Sequence, residues 1–499
     1  MGTGPSRAAD TNLYATDHVL IRFKSGVRPQ LSAVSYQETL DSLLAPLGLP
    51  AGASLTEPEV SKLLRQKQPA GQKLAAATGV DLGRFFYLNL PPGMSVQQCL
   101  DGLRNNPAVD YVEPDGIGTA GLVPNDPSFS LQWHHFNSTK PSASIHTPEA
   151  WDITQGSTNV LVAVLDTGLG ADLAEFTNRV VPGYNFVSGN TNTSDDNGHG
   201  TAVAGVLCAN ANNGSFGAGV DWQCQLMPIK ILDSTGSGTY SWFAQGIDYA
   251  VAHGCKVINL SAGGTSTNTS VSISILNAIA SGVIFVTITH NDSAGTIRFP
   301  GRLNQCITVG ATDQNDDRCG FSNYGPQIDL VAPGTNIYTA GIFGNLQNWW
   351  GTSFSAPMVS GVSAILAGLR PGIGQDEVNS LLCLGAEDLV GDANDTPGFD
   401  NYYGWGRLNA YNTVLLATTR IDSVQLTNGF PQLSWVSPSN ASNKAPYYVE
   451  YATTLNGPWT TVTDSFSYQT NRTYWTDPAA GNNNARFYRV RIRSIPTPP

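Results

Sequence analysis

Three short stretches hold residues whose types suit nucleophilic acyl transfer. Asp166 lies in AVLDTGLG, His199 in DDNGHGTAVAG and Ser353 in WGTSFSAPMVSG. A serine hydroxyl attacks a carbonyl only when a base takes its proton, and a histidine serves best when a carboxylate fixes its tautomer. Each residue alone also has a plain structural reading. An aspartate after a strand closes a turn, a GHG histidine is structural, and a GTS serine caps a helix. The three together, in the order Asp, His, Ser with separations of 33 and 154 residues, point to a hydrolase.

Such groups need a scaffold that brings distant residues to one place. VLVAVLD, LMPIKIL, CKVINLS and GVIFVTITHN are apolar almost throughout, the pattern of parallel strands buried on both faces. FAQGIDYAVAHG, VSISILNAIASG and APMVSGVSAILAGL carry helical apolar spacing and predict helices that cover the sheet. In an open parallel sheet, functional groups gather beyond the carboxyl ends of the strands. Asp166 and Asn291 close two of these strands, while His199 and Ser353 each open a small-residue helical run. All four are expected on one rim.

At this point the three motifs resemble the signatures of the subtilisin-like serine protease family over about 300 residues. The resemblance implies an α/β fold, a subtilisin-like open parallel sheet flanked by helices. It implies a serine endopeptidase using Asp166, His199 and Ser353, with the Asn291 carboxamide and a backbone N–H near Ser353 binding the oxyanion. Where the family pattern has Ala-Gly-Asn, this chain has Thr289-His290-Asn291. His290 either narrows the substrate cleft or fills space beside the oxyanion site. Ser261, Ala262, Gly263 and Gly264 resemble one cleft wall, with Gly238 and Tyr240 in the opposite one, so that a peptide binds as an added extended strand. Ala262, Trp349 and Trp350 suggest broad cleavage with an apolar or aromatic preference.

The same resemblance implies a structural calcium site, with no cofactor in the chemical step. Asp172, Asn212 and Phe216 are its expected ligands, with oxygen donors suited to a hard cation; the alternative is that the 212–217 loop is a metal-free turn. Asp195 and Asp196 are expected to cap the His199 loop or to charge the substrate cleft, and not to hold metal. A catalytically inactive peptide-binding homologue is the alternative, although all four site residues are present. An esterase would show a GxSxG elbow and a different chain order.

The flanks read differently. Residues 1–15 form an extension, and 16–115 resemble an inhibitor-type propeptide, with strand-like DHVLIRF, FFYLNLP and VDYVEP and a helical MSVQQCLDGLRNN. A 48–80 insertion rich in Ala, Lys and Gln has no assigned role. Residues 116–125 form a Gly- and Pro-rich linker where self-processing is expected. The peptidase domain spans 126–418. Residues 420–499 are short aromatic and β-branched strands that predict a β-sandwich resembling a fibronectin type III module.

Composition narrows the classes. A net charge of -12 with no basic cluster argues against nucleic acid, and no apolar run is long enough to span a bilayer. The expected partners are protein or peptide substrates and the chain's own N-terminal domain, on a monomer. Seven cysteines occur, six of them beyond the N-terminal region, an even count that suits disulfides in a secreted protein or, alternatively, buried thiols.

Overall fold

The computed structural model describes residues 14–24, 54–56, 85–90, 96–103, 106–107, 109–116, 122–427, 430–438, 440–454, 457–462, 466–469, 471–480 and 486–495. Residues 1–13, most of the 48–80 insertion and residues 117–121 of the linker lie outside that set. The chain divides into two compact units, Met1–Thr119 and Ala120–Pro499.

In the first unit, β1 (Tyr14–Phe23), β2 (Ser54–Thr56), β3 (Phe85–Asn89) and β4 (Val109–Gly116) form an antiparallel sheet in the order β2-β3-β1-β4. Alternation along β1 buries Val19 and Ile21. Helix α1 (Val96–Leu103) buries Val96, Cys99, Leu100 and Leu103, a single helical stripe at i, i+3, i+4 and i+7.

The second unit is built on seven parallel strands in the order β11-β10-β9-β8-β5-β7-β6. These are β5 (Leu161–Asp166), β6 (Tyr184–Asn185), β7 (Gln225–Lys230), β8 (Val257–Leu260), β9 (Ile284–Ile288), β10 (Ile307–Thr312) and β11 (Leu330–Pro333). The apolar runs feed two cores at once. Val162 and Val164 of β5 join one apolar cluster, Ala163 and Leu165 the other. The short helix α2 (Thr147–Ile153) precedes β5. The first cluster takes residues of α3 (His199–Cys208) and α6 (Thr352–Leu369). The second takes α4 (Tyr240–Ala252) and α5 (Thr269–Ala280). Helices therefore cover both faces, as continuous apolar strands require. Helix α6 is the one described helix long and apolar enough to cross a membrane, and it is a buried core helix.

Helices α7 (Gln375–Gly385) and α8 (Ala410–Ala417) complete the parallel-sheet region. The short hairpin β12 (Ile337–Ala340) and β13 (Leu346–Trp349) leads into α6. Beyond α8, two antiparallel sheets follow, of four and three strands. Trp435 of the first meets Tyr447 of the second edge to face at 5.2 Å, and Trp475 meets Tyr488 at 6.1 Å. Asn440 Nδ2 and Lys444 Nζ donate to the Ala386 and Trp405 carbonyls, tying these sheets to the body of the unit.

All seven cysteines are buried free thiols, in place of the expected bridge. Cys208 and Cys224 neighbour each other beside Arg179, which donates to both of their carbonyls.

Candidate active site

Asp166 is the last residue of β5 and is fully buried. Its Oδ1 accepts from His199 Nδ1 at 2.8 Å and from the Thr167 amide at 2.7 Å. A carboxylate can only accept, so the proton sits on Nδ1 and the lone pair on Nε2 is free to act as a base. Burial alone would lower the imidazolium pKa. The Asp166 charge and hydrogen bond, with Asp195 farther off, outweigh burial and raise it above the ordinary value.

His199 is the first residue of α3, and the turn before it is organised by Asp195. The Asp195 carboxylate accepts from the amides of Asn197, Gly198 and Thr201 and from the hydroxyls of Thr167 and Thr201. It is a helix N-terminal cap, the position where a negative charge meets unpaired amides. Gly200 permits the close approach, since a Cβ there would fall 2.4 Å from the Gly168 carbonyl. Lys230, at the end of β7, donates to the Thr167 and Leu232 carbonyls and pairs with Asp196, pinning the Asp166 turn from the other side.

Ser353 is the second residue of α6 and 7% exposed. Pro357 lies four residues on, inside the helix, and has no N–H to give the Ser353 carbonyl. Ser261 Oγ supplies that missing donor at 2.9 Å, and is itself held by Asn259 Nδ2 at 3.0 Å. Ser353 Oγ in turn contacts the Ser261 carbonyl at 3.4 Å. The Ser353 hydroxyl is thus turned to Ser261 and not bonded to His199 Nε2; bonds between base and nucleophile are commonly long without substrate and tighten on binding. The His199 ring is walled by Phe354 at 5.6 Å and Trp349 at 6.2 Å.

Asn291 follows β9. Its Oδ1 accepts from both the amide and the hydroxyl of Thr352, at 3.0 and 2.9 Å. With the oxygen so occupied, the NH₂ is the end left to face a ligand, and it lies near Gly351. The Ser353 N–H belongs to the first helical turn, where amides lack intrahelical partners. The site therefore offers two donors beside one hydroxyl. Thr352 and the supporting role of Ser261 were not read from the sequence. The signal for Ser261 was Pro357, whose missing N–H demands another donor.

Around this centre, Ala262, Gly263 and Gly264 are partly exposed, and Gly264 exchanges both main-chain hydrogen bonds with Phe299. The Tyr240 hydroxyl donates to the Ser266 carbonyl and lies where a Gly264 side chain would point. Gly238 is exposed at the surface, its backbone against the Ile231 carbonyl. The two expected walls thus approach each other through Tyr240 and Gly264.

Of the expected metal ligands, Asn212 and Phe216 lie four residues apart in one loop. Asp172 is exposed. Asn212 Oδ1 accepts from the Asn125 amide and the Phe216 carbonyl from the Ser128 amide, while both Asp126 oxygens take the amides of Asn212 and Asn213. The carboxylate that faces inward here is Glu175. It lines a small cavity with Gln132, Ala209, Phe216 and Gly217, and neither of its oxygens has a hydrogen-bond partner in bonding geometry. Burial pushes its pKa up to about 8, despite the nearby Ser215 and Asn213 side chains. A buried carboxylate without a partner is one oxygen donor of the kind a hard cation takes.

Comparison with known proteins agrees with this geometry. The subtilase family model matches residues 157–406. The chain is 34% identical to a thermophilic serine proteinase of Bacillus sp. strain AK1, over 64% of this chain and 76% of the relative. It is also 34% identical to thermitase of Thermoactinomyces vulgaris, over 58% of this chain and 99% of that one. Among solved structures, a protease of Pseudoalteromonas arctica superposes with a TM-score of 0.53 at 28% identity, covering 60% of this chain and all of its own. This chain belongs to the subtilase family of serine proteases.

Proposed function

We propose that the chain is a secreted endopeptidase that hydrolyses peptide bonds through an acyl-enzyme at Ser353. The observation that carries this reading is the His199–Asp166 bond at 2.8 Å beside an Asn291 carboxamide turned by Thr352 toward the Ser353 turn. As Ser353 Oγ bonds to the substrate carbonyl carbon, its proton passes to His199 Nε2. The charge on the carbonyl oxygen is met by Asn291 Nδ2 and the Ser353 N–H. The C–N bond then breaks, and the same proton goes to the departing amine. Water, deprotonated by His199, repeats the attack and frees the acid. Recognition through the backbone of residues 261–264 gives breadth across most substrate positions.

The N-terminal unit is proposed as an intramolecular inhibitor removed by cleavage within roughly 115–125, a stretch rich in Gly and Pro, and the C-terminal pair of sheets as a β-sandwich accessory module. Calcium is proposed as a structural ion only. Asp172, Asn212 and Phe216 are its proposed ligands, with the buried Glu175 carboxylate as a further candidate donor.

Intact-mass analysis of the full chain and of Ser353→Ala, with peptide mapping on an unstructured protein, tests the reading. Loss of the N-terminal unit and substrate cleavage by the wild type alone are expected. An intact, folded wild type that stays inert after removal of its N-terminal unit would instead mark a peptide-binding homologue.

A further inference from the structure

We infer that His290, together with the Arg298–Asp292 pair beside it, restricts the residue on the acyl side of the scissile bond to small side chains. The inference rests on the peptidase reading and names its substrate class. His199 must reach the departing amine, so the leaving side of the substrate lies toward His199. The acyl residue then lies across Ser353 from it, between the 261–264 wall and the turn that carries Asn291.

His290 stands in that turn, immediately before the oxyanion donor. Its φ is +84°, in the left-handed region that crowds a residue with a Cβ. The fold holds it there by main-chain pairing: the His290 carbonyl accepts from the Asn323 amide at 2.8 Å. His290 is partly exposed, but its Nε2 is buried and faces the Gly263 backbone, where an added Cβ would lie 3.1 Å away. The imidazole thus occupies the space between the wall and the oxyanion turn.

The neighbouring segment is tied to the same turn. Arg298 pairs with Asp292, and Asn323 Nδ2 donates to the second Asp292 oxygen at 3.0 Å. Phe299, next in the chain, is bonded through both main-chain groups to Gly264. Wall, turn and neighbouring segment are therefore locked to one another, and a bulky acyl side chain would have to displace His290 from a packed position. A glycine at position 290 would remove both the obstacle and the backbone strain, so His290→Gly is expected to fold.

The test is kcat/KM of the full chain as purified, and of His290→Gly, on peptide p-nitroanilides differing only in an acyl-side Ala, Leu or Phe. The wild type is expected to prefer Ala to Phe at least about tenfold. His290→Gly should raise the Phe substrate at least about tenfold and change the Ala substrate less than about threefold. A wild-type preference for Phe, or an unchanged Phe-to-Ala ratio in the variant, overturns the inference. If the wild type, freed of its N-terminal unit, cleaves none of the three and Ser353 is inert to a fluorophosphonate, the peptidase reading falls and takes this inference with it.

Discussion

His199 Nδ1 donates to Asp166 Oδ1 across 2.8 Å, from the first residue of α3 to the last residue of β5. That bond fixes the imidazole tautomer and favours its charged form, so it sets the pH at which the base becomes available. The raised His199 pKa places the acid limb of kcat/KM above the ordinary histidine value of 6.5. Activity should fall as pH drops through it, because protonated His199 cannot accept the Ser353 proton. Asp195→Asn removes one of the charges that raise this pKa, and the limb should move to lower pH. A pH–rate profile of both proteins checks the sign.

The Thr352 contacts to Asn291 make a graded prediction. Asn291→Ala should lower kcat about 10²–10³-fold with little change in KM, a magnitude known for the corresponding loss in subtilisin itself. Thr352→Val leaves the carboxamide in place but removes one of its two fixed partners. A net hydrogen bond is worth about 1 kcal/mol, so kcat should fall roughly fivefold. Steady-state kinetics of the two variants should rank them in that order.

Ser261 replaces the donor that Pro357 cannot provide. Ser261→Ala leaves the Ser353 carbonyl buried and unpaired, which costs about 1–3 kcal/mol. The denaturation midpoint should fall accordingly, and kcat should fall with it while KM moves little. Restoring an N–H by Pro357→Ala in the same chain should recover part of both losses.

Calcium should act on stability and not on chemistry. If Glu175 holds the ion, millimolar calcium raises the Tm of chelator-treated protein, and Glu175→Gln removes most of that rise. Initial rates measured well below Tm should be the same for both proteins. Differential scanning calorimetry with and without calcium reads the difference.

The parallel sheet was legible because β5, β7, β8 and β9 are apolar on both faces, a pattern that no surface strand shares. The positions of Asp166 and Asn291 followed from strand ends, and those of His199 and Ser353 from helix starts. What the sequence does not carry is which way a turn faces. Asp172 and Glu175 are three residues apart in one loop, and only the packing of the short helical turn Ala174–Phe176 turns Glu175 inward. His290 was ambiguous for the same reason. Its type is read directly, but its left-handed backbone and its contact with Gly263 depend on a wall about thirty residues away.

The most direct test of the account is covalent. After the N-terminal unit has been cleaved off, the protein is treated with a fluorophosphonate, digested and mapped by mass spectrometry, alongside Ser353→Ala and Asp166→Asn treated in the same way. The account predicts one adduct, on Ser353, formed quickly in the wild type, far more slowly in Asp166→Asn and not at all in Ser353→Ala. Labelling of another residue, or equal labelling rates with and without the Asp166 carboxylate, would contradict the assignment of nucleophile and base.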